Sequence, residues 1–537
     1  MSWTPPADLT FEPPLGLGPD DRVFSKVVER WAATAPDRIC LVQDDGVTLG
    51  YGQLDQRAGA IAAGLHEMGI RPGDRVATLV ANDLRVLYLG VALSKLGAIE
   101  VPINPALVGA SMRHVLADAD PRLSIVAPGF HEQLVAALPD GSAGRIVEIA
   151  PEGAAEQVTG RLPSVDEMLD GGGRDFPTVD GVRPSTPSSI MYTSGTTGLP
   201  KGALLPNLHS YRIAERTAAA LRLTGDDTMI SILPLFHGGG RYMNAGACIL
   251  AGARCGLVRR FSGAAFFDQA RAFGATAMHG VVSVGHFLLA QEPTPGDRDH
   301  SITRGILAPR PDSVGIAMRE RFGIEVFQGY ASTEGNISVL NLDGPAEACG
   351  RAYPPYRVRI VDEEDRPLPA GETGEIVVSS DEPWSTFSGY WNQPETSLEV
   401  MRNFGLHTGD AGYLDEDGYL WYVDRIKDMI RRRGENVAAQ TVEEAVHRAP
   451  GVVEVAAYPV PSEHGEEEIA VAVVVKPDSG LTPERIVDTC RAELPRFAVP
   501  RYVRLVDALP MTETGKIQKF RLKQEGVGDA HDFPECR

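Results

Sequence analysis

Apolar positions repeat at steps of three and four after Tyr51. Leu54, Ala58, Ile61, Leu65 and Met68 share one face, which predicts a helix. Gly69 ends it, and Arg71-Pro72-Gly73-Asp74 reads as a turn. The run from Arg75 to Val80 predicts a buried strand, Leu84 to Leu96 a helix, and Ile99 to Ile103 another strand. Strand–helix–strand alternation implies parallel sheets covered by helices. The pattern weakens over residues 151–188, rich in Gly, Pro and Asp, which read as a surface connection. It resumes with a helix from Ser210 to Leu221 and a strand from Ile230 to Pro234, then continues through Phe327.

Beyond Tyr356 the pattern changes. Arg357–Val361 and Glu375–Val378 flank a turn-rich segment, and Gly412–Leu414 and Tyr419–Val423 flank Asp415-Glu416-Asp417-Gly418. Asp-Gly favours a tight hairpin, so this part reads as antiparallel β structure. After Arg425 a helix opens at Thr441-Val442-Glu443-Glu444 with capping-box spacing. Strands follow at Val452–Pro459, Ile469–Lys476 and Arg501–Val506, with a helix after Thr482-Pro483. The fold class expected is α/β: a large domain of parallel sheets covered by helices, with a small antiparallel β subdomain, then a small mobile α+β domain. The boundaries expected are 1–424, a hinge at 425–427, and 428–537. Residues 1–20 read as an irregular arm, and Gly526 to Arg537 as a loose tail.

Length changes the picture little: 537 residues exceed a single core. Charge changes it more. The net charge of −21, from 51 basic and 72 acidic residues, argues against a nucleic acid or an anionic membrane as partner. The six cysteines are scattered without zinc spacing, which fits reduced thiols in a cytoplasmic setting. Met1-Ser2-Trp3-Thr4-Pro5-Pro6 lacks a basic start and an apolar run, so no signal peptide is expected. The most apolar stretch, Val76 to Ile103, is interrupted by Asn82, Asp83, Arg85 and Lys95 and is no membrane span.

Chemistry concentrates at Thr193-Ser194-Gly195-Thr196-Thr197-Gly198-Leu199-Pro200-Lys201-Gly202. Hydroxyl and glycine positions leave backbone N–H groups uncovered, so the loop can fold around an anion. Glycines at 195, 198 and 202 allow φ values that other residues resist. Lys201 adds a point charge, and a polyphosphate is the natural ligand. The spacing is not that of a Walker A loop.

The loop resembles the phosphate-binding signature of the adenylate-forming superfamily: acyl-CoA ligases, luciferases and peptide-synthetase adenylation domains. Further motifs match in that family's order, and the pattern is most similar to carnitine/crotonobetaine-type acid–CoA ligases. The resemblance implies an ATP-dependent acid–CoA ligase that forms an acyl-adenylate and pyrophosphate, then a thioester with release of AMP. ATP, Mg²⁺ and coenzyme A are implied, together with a small-molecule acid. An acyl-carrier protein in place of CoA, nitrite in place of the carboxylate, and a homodimer stay open.

By the same resemblance, Ser194 to Gly198 and Lys201 bind phosphates. In Gln328-Gly329-Tyr330-Ala331-Ser332-Thr333-Glu334, Tyr330 stacks on adenine, Thr333 touches the α-phosphate, and Glu334, with Thr193, holds Mg²⁺. Asp410, in His407-Thr408-Gly409-Asp410, accepts from the ribose hydroxyls. Gln328, Gly329 and Tyr422 complete the nucleotide set, and Arg425 contacts ribose or phosphate. Lys427 is the hinge position. Arg433 and Gly434 face CoA, while Arg431-Arg432-Arg433 either meets CoA phosphates or forms a solvated face. Lys516, in Thr514-Gly515-Lys516, bridges the substrate oxyanion and α-phosphate as charge builds. His237, in Pro-Leu-Phe-His, gates the acyl pocket.

Two segments depart from the family pattern. Gly305-Ile306-Leu307-Ala308-Pro309-Arg310-Pro311 lacks the expected glycines, so one wall of the adenine and acyl pocket is altered. Gly239 to Asn244 is polar where an acyl pocket prefers apolar residues. Arg241 there is expected to point outward; the other reading has it binding a second carboxylate or a small anion.

Overall fold

The computed structural model describes residues 9, 11–138, 146–149, 165–170, 176–193, 200–308, 312–432, 435–462, 467–477, 479–511 and 517–536. Two sheets carry the large part of the chain. One orders Glu325–Phe327, Arg304–Ala308, Ala277–Val281, Thr228–Ser231, Arg254–Leu257 and Ile39–Gln43 in parallel, with Thr48–Gly50 antiparallel at the edge. The other orders Ile146–Glu148, Leu123–Val126, Arg75–Leu79, Ile99–Pro102 and Pro187–Thr193 in parallel, with Lys201–Pro206 antiparallel. Near-continuous apolar runs such as Val76–Leu79 are buried, as strands covered on both faces must be. Helices Tyr51–Glu67 and Arg85–Leu96 match the pattern read from their apolar spacing. Glu100 interrupts the buried strand Ile99–Pro102 and is itself buried.

The antiparallel part is a four-stranded sheet of Tyr356–Val361, Gly374–Ser380, Leu406–Leu414 and Leu420–Arg425. The main apolar cluster draws on residues from Val27 to Leu420, and a separate cluster runs from Ile430 to Cys536. The second cluster is built on Val452–Pro461, Glu467–Val475, Tyr502–Leu505 and His531–Asp532 with helices Ala439–His447 and Pro483–Glu493. All six cysteines are buried free thiols.

Three sequence expectations need correction. The tail is not loose: His531–Asp532 adds an antiparallel strand beside Tyr502–Leu505, and Phe533 and Cys536 are buried. Arg501 grips Asp532 through both oxygens at 2.8 and 3.0 Å. Arg432 is neither a solvated residue nor a CoA contact: it is 1% exposed, pairs with Glu468 at 2.6 Å, and donates to the carbonyls of Phe497, Val499 and Cys536. A buried guanidinium needs such partners. Arg241 does not point outward. It is buried and paired with Glu100, and its Nε donates to the Leu235 carbonyl at 2.9 Å.

Candidate active site

The antiparallel pair Pro187–Thr193 and Lys201–Pro206 brings Thr193 opposite Lys201 and Tyr192 opposite Gly202. It thereby closes the ends of the hydroxyl-rich loop. Ser194, Gly195, Thr196, Thr197 and Gly198 lie outside the described residues, as do Arg433, Gly434 and Lys516. Gly202 serves a different purpose from the one read in the sequence. Its φ is not positive; a Cβ there would come within 2.6 Å of Ile190 Cγ2 and 3.0 Å of Tyr192 Cζ. Close packing, not backbone freedom, requires glycine. The Thr193 hydroxyl approaches the Lys201 carbonyl at 3.5 Å.

Beyond the C-terminal end of Glu325–Phe327, the strand Gly329–Ser332 turns back on Asn336–Leu340. This puts Tyr330 beside the four-stranded sheet. The Tyr330 hydroxyl donates to Asp410 Oδ2 at 2.5 Å, and Arg425 Nε reaches Asp410 Oδ1 at 2.6 Å. Asp410 is 4% exposed, and the register places it opposite Arg425 on the next strand. Burial, then the charge of Asp410, raises the Tyr330 pKa well above that of an ordinary phenol, so it stays a donor. The Tyr422 ring lies 6.5 Å from that of Tyr330. Gly409, at φ +70°, turns its N–H onto Glu375 Oε1 at 3.0 Å and so orients the Thr408–Asp410 corner. Thus Tyr330, Asp410, Tyr422 and Arg425 converge.

Gln328 is buried, and its Nε2 donates to the carbonyls of Ala346 and Ala348 at 3.0 and 2.9 Å. Glu334 accepts from the Tyr390 hydroxyl at 2.8 Å, and its carbonyl accepts from Phe387 N–H at 2.9 Å. Lys201 Nζ lies 5.4 Å from the centre of the Tyr390 ring. Sequence reading passed over Tyr390. Its one local signal was an aromatic directly after Gly389, and nothing in the spacing joins it to Glu334.

His237 is exposed, and its Nδ1 accepts from Gly239 N–H at 3.1 Å. His279, on Ala277–Val281, lies behind Gly239 and was also passed over. Its Nδ1 is 2.7 Å from Asn244 Oδ1, and Asn244 Nδ2 donates to Ser231 Oγ at 3.1 Å. An amide oxygen only accepts, so Nδ1 carries the proton. Burial, helped by the field of His237, pushes the His279 imidazole down to about 3. Burial does the same to His209 under Thr333, also to about 3, partly offset by the Thr333 backbone.

Both shifts have a consequence for stability. The unfolded chain protonates these rings near 6.5 and the folded one near 3. Between those values the unfolded state binds more protons, so stability falls as pH drops through 6.5. From pH 7 to pH 5 each ring is expected to remove about 2 kcal/mol. Urea midpoints at the two pH values check this. His209→Gln with His279→Gln should flatten the difference; an unchanged pH dependence in the double variant would contradict it.

Lys427 is exposed, and its carbonyl accepts from Lys523 Nζ at 2.7 Å. Asp424 Oδ2 accepts from Gln440 N–H at 3.1 Å, at the start of Ala439–His447. The 512–516 segment carrying Lys516 is bracketed by a bridge between Met511 and Ile517 and by Gln518 N–H donating to the Pro510 carbonyl at 2.7 Å.

Comparison with known proteins gives this arrangement a context. The AMP-binding enzyme family matches residues 28–391, and the AMP-binding enzyme C-terminal domain matches residues 441–516. A feruloyl-CoA synthase of Amycolatopsis sp is 33% identical over 90% of this chain and 95% of its own. A crotonobetaine/carnitine–CoA ligase of Salmonella typhi is 29% identical over 88% of this chain and 92% of its own. The crystal structure of ATP-bound MatB from Rhodopseudomonas palustris superposes with a TM-score of 0.85 at 27% identity, covering 94% of this chain and 98% of that one.

Proposed function

The chain belongs to the AMP-binding enzyme family, and from that premise we propose that it is an ATP-dependent acid–CoA ligase. The observation that carries the reading is the convergence of Tyr330, Asp410 and Arg425, with Glu334 on the same strand-turn as Tyr330. This set offers an aromatic face for adenine and a two-oxygen acceptor for ribose hydroxyls. The relatives named for CoA ligation and the ATP-bound structure support the substrates ATP and CoA.

The reaction runs in two displacements. A carboxylate oxygen of the acid attacks the α-phosphorus of ATP. The bond to the bridging oxygen breaks, and pyrophosphate leaves with its electron pair. The CoA sulfur, as thiolate, then attacks the acyl carbon, and AMP departs as the thioester forms. Thr333 and Lys201 orient the phosphates, and Lys516 offsets the charge that develops in the first displacement. His237 is the exposed residue midway between buried Leu235 and buried Gly239, and we place the meeting of acid and thiol beside it.

Mg²⁺ fits the donor set, because Tyr390 engages Glu334 Oε1 only and the ion prefers one or two carboxylates together with phosphate oxygens. Glu334, with the Thr193 hydroxyl, would hold it. When bound it neutralises phosphate charge. We assign 1–424 to the adenylating domain, 425–427 to a hinge and 428–537 to the small domain that exchanges places between half-reactions. Contacts of Lys427 and Asp424 with the small domain suit such a pivot.

Asp410→Asn should raise the KM for ATP by about 10–100-fold, the scale of one hydrogen bond to a charged group, with a smaller change in kcat. Steady-state kinetics at saturating acid check this. The reading itself is tested by pyrophosphate release across a panel of carboxylic acids and nitrite, with and without CoA. A carboxylic acid that drives release and, with CoA, yields a thioester supports it. Release driven by nitrite alone would move the chain to a different adenylating chemistry.

A further inference from the structure

Tyr390 is fixed from two directions. Its backbone neighbours join the strand that leaves the phosphate loop. Ser388 N–H donates to the Leu204 carbonyl at 2.8 Å, Leu204 N–H to Gly389 at 3.0 Å, and Trp391 N–H to Gly202 at 2.7 Å. Its side chain spans to the other half of the site, with the hydroxyl on Glu334 Oε1 at 2.8 Å and the ring 5.4 Å from Lys201 Nζ. Phe387, three residues earlier, holds the Glu334 carbonyl at 2.9 Å and meets the Tyr390 ring edge-on at 5.2 Å. One short segment therefore ties the Glu334 carboxylate, the Glu334 backbone and the Lys201 ammonium to the loop exit.

We propose that Tyr390 is a positioning residue for the polyphosphate–metal centre. Its hydroxyl fixes the Glu334 carboxylate by one oxygen and leaves the other for a divalent cation. Its ring holds the Lys201 ammonium near the loop until a polyphosphate takes it. This rests on the reading of Glu334 as the metal carboxylate. The geometry favours the exchange: a cation over an aromatic face at a partly exposed site is held more weakly than an ammonium on a phosphate oxygen.

The test is binding, with no acid present so that no turnover occurs. Calorimetry gives the Kd of the full chain for ATP with EDTA and for Mn·ATP, and their ratio isolates what the cation adds. In Tyr390→Phe, which keeps the ring, the ratio should shrink about tenfold, the scale of one hydrogen bond to a charged group. The Kd for ATP with EDTA and the melting temperature should be unchanged. In Tyr390→Leu, loss of the ring should also change the Kd for ATP with EDTA. A Tyr390→Phe ratio equal to that of the unmodified chain, with the ratio collapsed in Glu334→Gln, would overturn the role of Tyr390 and leave Glu334 as the metal carboxylate. A ratio unchanged in both would overturn the metal reading and the inference with it.

Discussion

Replacing Lys516 with alanine is expected to lower acid-dependent pyrophosphate release by about a thousandfold. Thioester formation from a supplied acyl-adenylate should largely persist. The size follows from what a single preorganised cation or donor contributes where negative charge develops, about 10²–10³ in kcat. The asymmetry follows from the chemistry. The first displacement moves negative charge from the attacking carboxylate onto the α-phosphate and the departing pyrophosphate, whereas the second breaks the bond between the acyl carbon and AMP and leaves the phosphorus untouched. The described residues on either side of the segment are tied together by the bridge between Met511 and Ile517 and by the Gln518–Pro510 bond, and the melting temperature of the variant separates a loss of activity from a loss of folding. Survival of both half-reactions would remove Lys516 from the mechanism.

The second large effect is on folding. Arg241→Met should destabilise the large core by about 3–5 kcal/mol, because it leaves Glu100 buried without its counter-charge. Thr78 Oγ1, which donates to Glu100 Oε1 at 2.8 Å, cannot replace a guanidinium. The pair joins the strand Ile99–Pro102 of one sheet to the Gly239–Gly246 segment beside the other. Adding Glu100→Gln should recover most of the loss, since the amide still accepts from Thr78 and no charge remains buried. The urea midpoint for the large core is the readout. A single variant as stable as the unmodified chain would mean that the pair adds nothing.

That same pair shows where sequence reading stops. Periodicity placed the helix Tyr51–Glu67, the strands around it and the hairpins after Tyr356, because each is written into neighbouring residues. The grouping of Tyr330, Asp410 and Arg425 that the structure shows could be suspected for a related reason: each sits in a short motif whose order along the chain carries meaning, and the nucleotide role given to them is the one proposed above. Arg241 was misread because its partner is 141 residues away. A signal existed in Glu100, a carboxylate inside Ile-Glu-Val-Pro-Ile, which demands a buried cation without saying which one. Arg432 and the tail were misread together, since the Cys536 carbonyl that Arg432 holds is 104 residues downstream. Tyr390 belongs with them, 56 residues from the carboxylate it touches. Long-range polar pairs leave no periodic trace, so they had to come from the structure.

The central claim is that this chain joins an acid to AMP before passing it to a thiol. Product analysis with ATP, Mg²⁺, CoA and an active carboxylic acid tests it most directly. The account predicts AMP, pyrophosphate and thioester in equal amounts. Without CoA it predicts pyrophosphate, with the acid retained on the protein as its adenylate. ADP with orthophosphate in place of AMP with pyrophosphate, or AMP formed at the same rate with no acid present, would contradict it.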